Sequence, residues 1–368
     1  MKALRAILLS ACCAFSVAAC AAGAMTAAAA EPTWMDQPAC QTLDMAATGG
    51  PAPTGDVAVM RYIGSSNYEL SYRGTVILFD AEYETRIAPN HDLGVKDTDL
   101  KKATAIYIGH GHSDHMASAH IVSAASKAPV YGAKLTIDAP LKMGVAKERA
   151  MTVKNGDVQK YPGFTIETIL AQHASVMGAD GKLNPRFEAS MKAWGEMRKA
   201  AGIDAPVTFS QMMKGPDGTD IPKGTSDAHV LDQGTLGFLV TFDTGYTMLV
   251  LDSAGPVTEA ERAVVKRLGR VDFATISYQG FFVPQRQIEM TLPLIELFNP
   301  RVFQPDHHDE SGGIYPDMAG YPLFMAIREK LPATRGIAPL YRAPTCINTK
   351  TKDVFVGDTW TWPQNKGK

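Results

Sequence analysis

The chain has 368 residues, 45% of them hydrophobic and 20% charged, with a formal net charge of −2. This is the composition of an ordinary globular protein, long enough for one large or two modest domains. No basic run or positive excess offers a footprint for nucleic acid, so none is expected as a partner.

The first 30 residues read as a targeting segment. Lys2 and Arg5 precede an apolar run from Ala6 to Ala19 that is too short to span a bilayer comfortably. Two processing readings stand side by side. Ala28-Ala29-Ala30 before Glu31 suits an ordinary signal peptidase, which gives a periplasmic or secreted protein. Val17-Ala18-Ala19-Cys20 suits lipoprotein processing, and membrane attachment is expected only if Cys20 is acylated. Cys12, Cys13 and Cys20 lie in this leader, leaving Cys40 and Cys346 in the body. In an oxidising compartment an even pair points to a disulfide, here one that pins the N-terminal segment to the C-terminal strands. Closing so long a loop is worth up to about 4–5 kcal/mol in the chain-entropy model.

Residues 31–55 are rich in Pro, Gly, Ala and Thr and read as an irregular lead-in. Short β-branched and aromatic runs follow at Val57–Tyr62, Asn67–Tyr72 and Thr75–Phe79, split by Gly64-Ser65-Ser66 and Arg73-Gly74, the pattern of an antiparallel meander. The apolar run Ala103–Ile108 predicts a buried strand, and Gly109 and Gly111 let the chain turn at its end. A helix is predicted over Met116–Ser126, carrying His120 on a different face from His115, so His120 reads as a packing or surface histidine. Strands are predicted near Pro129–Tyr131 and Phe164–Leu170, the latter leading to His173.

The pattern then breaks from about 178 to 233, which reads as a partly helical insertion rather than a second domain. Arg186–Ala201 has amphipathic spacing, with Met191, Trp194 and Met197, and Phe209, Met212 and Met213 follow. That apolar stripe is equally a helix packing on the core or a wall for substrate. His229 falls near the end of this stretch. Thr235–Phe242 and Thr247–Leu251 flank a hairpin signal, and the second strand runs into Asp252. A carboxylate there is costly unless paired or bound to a metal. Helices at Val257–Leu268 and Ile288–Phe298 and strands at Val271–Ser277 and Arg301–Gln304 complete the pattern, ending in Pro305-Asp306-His307-His308-Asp309. Tyr278, Gln279, Phe281 and Phe282 follow a strand and read mainly as packing residues, with a pocket lining as the alternative.

The chemistry concentrates in His110-Gly111-His112-Ser113-Asp114-His115. A strand-end loop of this kind turns His110 and His112 to one cation and Asp114 and His115 to a second. The motif resembles the metal-binding signature of the metallo-β-lactamase superfamily. The resemblance runs from Val57 to His308 and implies a four-layer αββα sandwich of two mixed β-sheets over residues 56–368. It implies His110, His112 and His173 on one metal, Asp114, His115 and His307 on the other, and Asp252 bridging them, with Asp80 in a supporting place. His308 is the alternative to His307. Two Zn²⁺ ions are expected, with Mn²⁺ and Fe²⁺ as alternatives.

Zinc lowers the pKa of bound water from near 16 to roughly 7. Hydroxide generated on the metals would attack an ester, a lactone or a phosphodiester, with Asp114 both ligating and passing a proton. The substrate is expected to be a small molecule or lipid-like. An acid at Asp252 speaks against a β-lactam hydrolase, which usually has Cys or Ser there. The motif resembles more closely the branch of lactonase and phospholipase D-like proteins. β-Lactam hydrolysis, or a non-catalytic binding protein that retains the metals, stands as the alternative.

Overall fold

Each strand of the chain that is buried on both faces carries apolar side chains in alternation, and the two sets belong to different cores. In Thr75–Phe79, Ile77 and Phe79 point to one cluster while Val76 and Leu78 point to another. In Thr247–Leu251, Met248 and Val250 share the first cluster, while Leu249 and Leu251 enter a third. A period of two with both faces apolar requires a layer on each side of each sheet.

The computed structural model describes residues 33–83, 94–173, 234–278, 284–309, 321–338 and 340–356, with a few positions between 192 and 200. The expected leader, most of the 178–233 insertion with its Met and aromatic stripe and His229, and Gln279, Phe281 and Phe282 lie outside them. No described helix is long and apolar enough to cross a membrane.

The strands are β1 (Val57–Gly64), β2 (Asn67–Tyr72), β3 (Thr75–Phe79), β4 (Ala105–Tyr107), β5 (Val130–Gly132), β6 (Ala150–Thr152), β7 (Val158–Tyr161), β8 (Phe164–Leu170), β9 (Leu236–Phe242), β10 (Thr247–Leu251), β11 (Phe273–Ser277), β12 (Val302–Asp306), β13 (Arg335–Gly336), β14 (Pro344–Asn348) and β15 (Val354–Val356). They form two mixed sheets. The first runs β15-β14-β1-β2-β3-β4-β5-β6 and the second β13-β12-β11-β10-β9-β8-β7. In the first, β1 to β3 form the antiparallel meander and β3 to β6 run parallel. In the second, β7 to β10 are antiparallel and β10 to β13 parallel.

Tyr62, Tyr68, Leu70, Phe79 and Tyr107 of the first sheet meet Phe164, Phe238, Phe242 and Val250 of the second in the central core. Helices Ala119–Ser126 and Lys134–Lys142 cover the outer face of the first sheet, and helices Glu259–Leu268, Pro284–Phe298 and Tyr321–Lys330 cover that of the second. The αββα sandwich is therefore present.

Two elements differ from expectation. The helix predicted over Met116–Ser126 is two pieces, Ser113–Met116 and Ala119–Ser126. The Ser118 N–H donates to the carbonyl of Ala81 at 2.8 Å instead of continuing the first turn, and the Ala81 N–H donates to the carbonyl of His115 at 2.7 Å. Tertiary bonds to the chain beyond β3 thus divide the helix. The expected strand Ala103–Ile108 contracts to β4, flanked by single bonds from the Thr104 N–H to Val76 and from the Ile108 N–H to Tyr131.

The irregular lead-in is held in place by a buried cross-strand pair. Arg61 faces Glu69 between β1 and β2. The guanidinium donates to the carbonyls of Ala39, Thr42 and Arg342 at 2.6, 2.8 and 2.7 Å. Glu69 accepts from the N–H groups of Ala46 and Ala47 at 3.0 and 2.7 Å. These bonds offset the desolvation that pushes the Arg61 pKa down and the Glu69 pKa up. Beside them Cys40 and Cys346 form a disulfide with Cα atoms 5.9 Å apart, fully buried with Val57 and Val59. The bridge closes a separation of 306 residues. Replacing Cys346 by Ala is expected to lower unfolding stability by about 2–5 kcal/mol, read by chemical denaturation of non-reduced protein.

Candidate metal centre

The parallel strand β4 ends at Tyr107, and the next eight residues build one side of the site. Ile108 donates its N–H to the Tyr131 carbonyl at 2.8 Å, extending the strand by one bond. At Gly109 the backbone is held from both sheets: its N–H donates to Asp80 Oδ1 at 3.0 Å, and its carbonyl accepts from Leu236 at 2.8 Å. A Cβ on residue 109 would overlap the Asp252 carboxylate, so only glycine lets that carboxylate seat against the loop. The short turn Ser113–Met116 then presents Asp114 and His115.

The remaining residues arrive from the second sheet. His173 follows β8, Asp252 follows β10, and His307 follows β12. Gly255 matches Gly109 in function. A Cβ there would overlap the Gln172 carbonyl, so its absence lets the His173 segment lie against the turn after Asp252. Beyond β8 the sheet pairing continues with the Ala171 N–H donating to Thr235 at 3.1 Å.

All seven side chains singled out in the sequence are brought together. His110, His112 and His173 form one group of three, and Asp114, His115 and His307 another, each with donor atoms within 4.8 Å of one another. In the second group, His307 Nε2 lies 3.0 Å from His115 Nε2, and Asp114 Oδ2 lies 3.2 Å from His115 Nε2 and 3.4 Å from His307 Nε2. Ligands on a tetrahedral ion with bonds of about 2.0–2.1 Å are separated by about 3.3 Å. In the first group, His110 Nε2 lies 3.1 Å from His112 Nδ1, and the His173 ring centroid is 4.6 and 4.7 Å from those of His110 and His112. Asp252 joins the groups, with Oδ2 at 2.7 Å from His110 Nδ1 and 3.3 Å from His115 Nδ1.

The Nδ1 of His115 faces Asp80 Oδ2 at 2.7 Å, which orients the ring with Nε2 toward His307 and Asp114. Burial opposes protonation of His115, but Asp114 and Asp80 prevail and hold its pKa well above the usual histidine range. Two imidazole nitrogens meeting at 3.0 Å need a proton or a cation between them. Asp252 Oδ1 is buried and has no hydrogen-bond partner among the described residues. Burial, reinforced by Asp252, pushes the Asp80 pKa up to about 7; burial also lifts Asp252 to about 6. Burial and the neighbouring His115 and His112 hold His110 well below the usual histidine range. The groups that offset these carboxylates are histidines rather than lysines or arginines. Such an array of buried imidazoles and carboxylates fits divalent cations and is otherwise costly.

Burial divides the centre. His110, His115, Asp252 and His307 are all at most 4% exposed, whereas the Asp114 side chain is 22% exposed and His112 and His173 are half-buried. The accessible face therefore carries Asp114, His112 and His173. His308 does not join either group; its ring packs on Tyr62 with centroids 4.9 Å apart. His120 lies on helix Ala119–Ser126, away from both groups. Tyr278 is fully buried in the core of the second sheet, and its N–H donates to Asp306 at 2.9 Å.

The sequence marks Ser65-Ser66 as a break between strands and Asp309 as the end of a polar run, but carries no sign that this turn meets His307 or that Tyr341 stands behind it. The only signal was a serine pair between two strands, which reads as an ordinary hairpin.

Gly109→Ala is expected to displace Asp252 and lower metal uptake at both groups at least 10-fold, measured by chelator competition on the purified protein. Asp80→Asn is expected to weaken binding by about 10–100-fold, because the amide can present an N–H where His115 Nδ1 needs an acceptor.

No protein-family model matches the chain, and no curated protein matches it in sequence. Solved structures do resemble it. The metallo hydrolase Igni18 from the hyperthermophilic archaeon Ignicoccus hospitalis superposes with a TM-score of 0.51 at 14% identity, covering 79% of this chain and 98% of that one. The metallo-β-lactamase fold protein YhfI from Bacillus subtilis gives 0.44 at 12% identity, covering 77% and 97%. An isothiocyanate hydrolase from Delia radicum gut bacteria gives 0.43 at 15%, covering 77% and 96%. At such identities likeness speaks for architecture alone. The likeness to Igni18, together with the two mixed sheets and their helical faces, shows that this chain has the metallo-β-lactamase fold.

Proposed function

We propose that the chain is an exported, binuclear metal-dependent hydrolase acting on a small or lipid-like ester, lactone or phosphodiester, with zinc as its metal. The observation that carries this reading is the pair of three-donor groups, tied together by the Asp252 carboxylate at Nδ1 of His110 and of His115. His110, His112 and His173 would hold one ion and Asp114, His115 and His307 the other. The donors are all imidazole and carboxylate, a set that suits zinc and also manganese or iron. Bound there, two divalent cations would make water nucleophilic near neutral pH and polarise the substrate oxygen.

The chain's own residues supply the rest. Burial opposes ionisation of Asp114, but His115 and His307 beside it prevail and hold its pKa well below the usual carboxylate range. An anionic carboxylate on the accessible face is placed to orient water and take up its proton. Asp80 and Asp252 fix the rings of His115 and His110, so that their other nitrogens stay free for binding. The deep side, lined by His110, His115, Asp252 and His307, excludes solvent, so substrate approaches from His112, His173 and Asp114. Asp252 supports the hydrolase of esters or phosphodiesters over a β-lactamase, and retention of every donor supports catalysis over a binding role.

Elemental analysis of protein purified without added metal is expected to give close to two equivalents, predominantly zinc. A screen of chromogenic phosphodiesters, lactones, esters and nitrocefin is expected to show turnover in one of the first three classes. Turnover of nitrocefin alone would install the β-lactamase reading, and metal-loaded protein inert to every class would install the binding reading. Asp114→Asn is expected to lower turnover by about 10²–10⁴-fold while the first ion is retained. His112→Ala is expected to lose that first ion, and unchanged stoichiometry would count against the assignment.

A further inference from the structure

We propose that Asp309 and Tyr341 form a clamp that positions His307 in the second donor group by locking the Ser65-Ser66 turn against it. The proposal rests on the metal-binding reading above and names residues that belong to neither donor group.

His307 and Ser65 both have left-handed backbone, with φ of 57° and 52°. Neither is glycine, and such conformations persist only where the surroundings over-determine them. The two residues hold each other. The His307 N–H donates to the Ser65 carbonyl at 2.8 Å. The Ser65 N–H in turn donates to both Asp309 oxygens, at 3.0 and 3.2 Å. Both backbone groups of Ser65 are thus engaged by residues on either side of His308. The turn between β1 and β2 and the chain leaving β12 are closed into one ring of bonds, and His307 sits on that ring.

Asp309 is 1% exposed and belongs to none of the groups able to hold a metal. Tyr341 donates its hydroxyl to Oδ2 at 2.7 Å, and the Tyr62 hydroxyl also interacts with this carboxylate. Tyr341 is itself fixed. Its ring stacks on Tyr62 at 5.6 Å and 13°, and Tyr62 packs on His308. The Arg342 N–H donates to the Tyr62 carbonyl at 2.6 Å. The segment before β14 therefore reaches across the end of β1 to brace the strand end that carries His307. The first donor group has different supports. Gly109 holds the His110 loop through Asp80 and Leu236, and Gly255 admits the His173 segment. Releasing the clamp lets the strained backbone at His307 relax and withdraws its ring from His115, while the first group keeps its anchors.

Tyr341→Phe tests this with little disturbance of packing, since it keeps the ring stack and removes one hydroxyl. Asp309→Asn is the stronger variant. The full chain, stripped of metal, would be titrated with Co²⁺ and followed by visible absorption and chelator competition, beside thermal melts of the metal-free proteins. The expected result is one equivalent bound as in wild type and the second bound about 10–100-fold more weakly, with metal-free Tyr341→Phe melting as wild type does. Wild-type binding of both equivalents by both variants would overturn the clamp. So would equal weakening of both equivalents with a lowered melt, which marks a structural role only. Uptake of fewer than two equivalents by the wild type would instead sink the binuclear reading, and the clamp with it.

Discussion

The site depends on one close approach, that of the Asp252 carboxylate to the backbone at Gly109. Asp252 belongs to the second sheet and Gly109 to the first, so this contact sets the distance between the two sheets where the donors gather. It explains why the loop after β4 cannot carry a side chain at that position. It also explains how one carboxylate reaches both His110 and His115. The apolar layer between the sheets determines that they pack, and this polar contact at the strand ends determines their local register.

The same contact concentrates charge in a poorly solvated place. Asp80, Asp252 and Asp306 all have pKa values raised by burial, and Asp114 is kept anionic only by its histidine neighbours. A protein selected for stability alone would fill this space with apolar side chains. Retaining five imidazoles and several carboxylates there makes sense when a cation supplies the missing positive charge. The left-handed backbone at Asp80, Ser65 and His307 fits the same view, since strain gathers at functional positions.

Much of this was legible in the sequence, for identifiable reasons. β8 and β10 begin and end where their apolar runs and turn residues place them, β8 alternating buried with half-buried positions and β10 buried throughout. The donor residues were legible because each group stands past an apolar run, at the C-terminal end of a strand. What stayed hidden depends on long-range partners. Ser118 divides a helix by bonding to Ala81, which no local pattern encodes. Helix Lys134–Lys142 contains Pro140, which masks its periodicity. The lead-in looked irregular because the groups that order it, Arg61 and Glu69, lie on the neighbouring hairpin. Asp309 and Tyr341 are separated from Ser65 by more than two hundred positions, and nothing near any of the three announces the others.

The bond from Ala171 to Thr235 bears on how firmly the first donor group holds its third histidine. Ala171 stands two residues before His173, and its N–H still belongs to the ladder that joins β8 to β9. A side chain so close to a paired backbone inherits the stiffness of the sheet. Precision at that imidazole is thus a by-product of strand pairing rather than of any contact made by the ring itself.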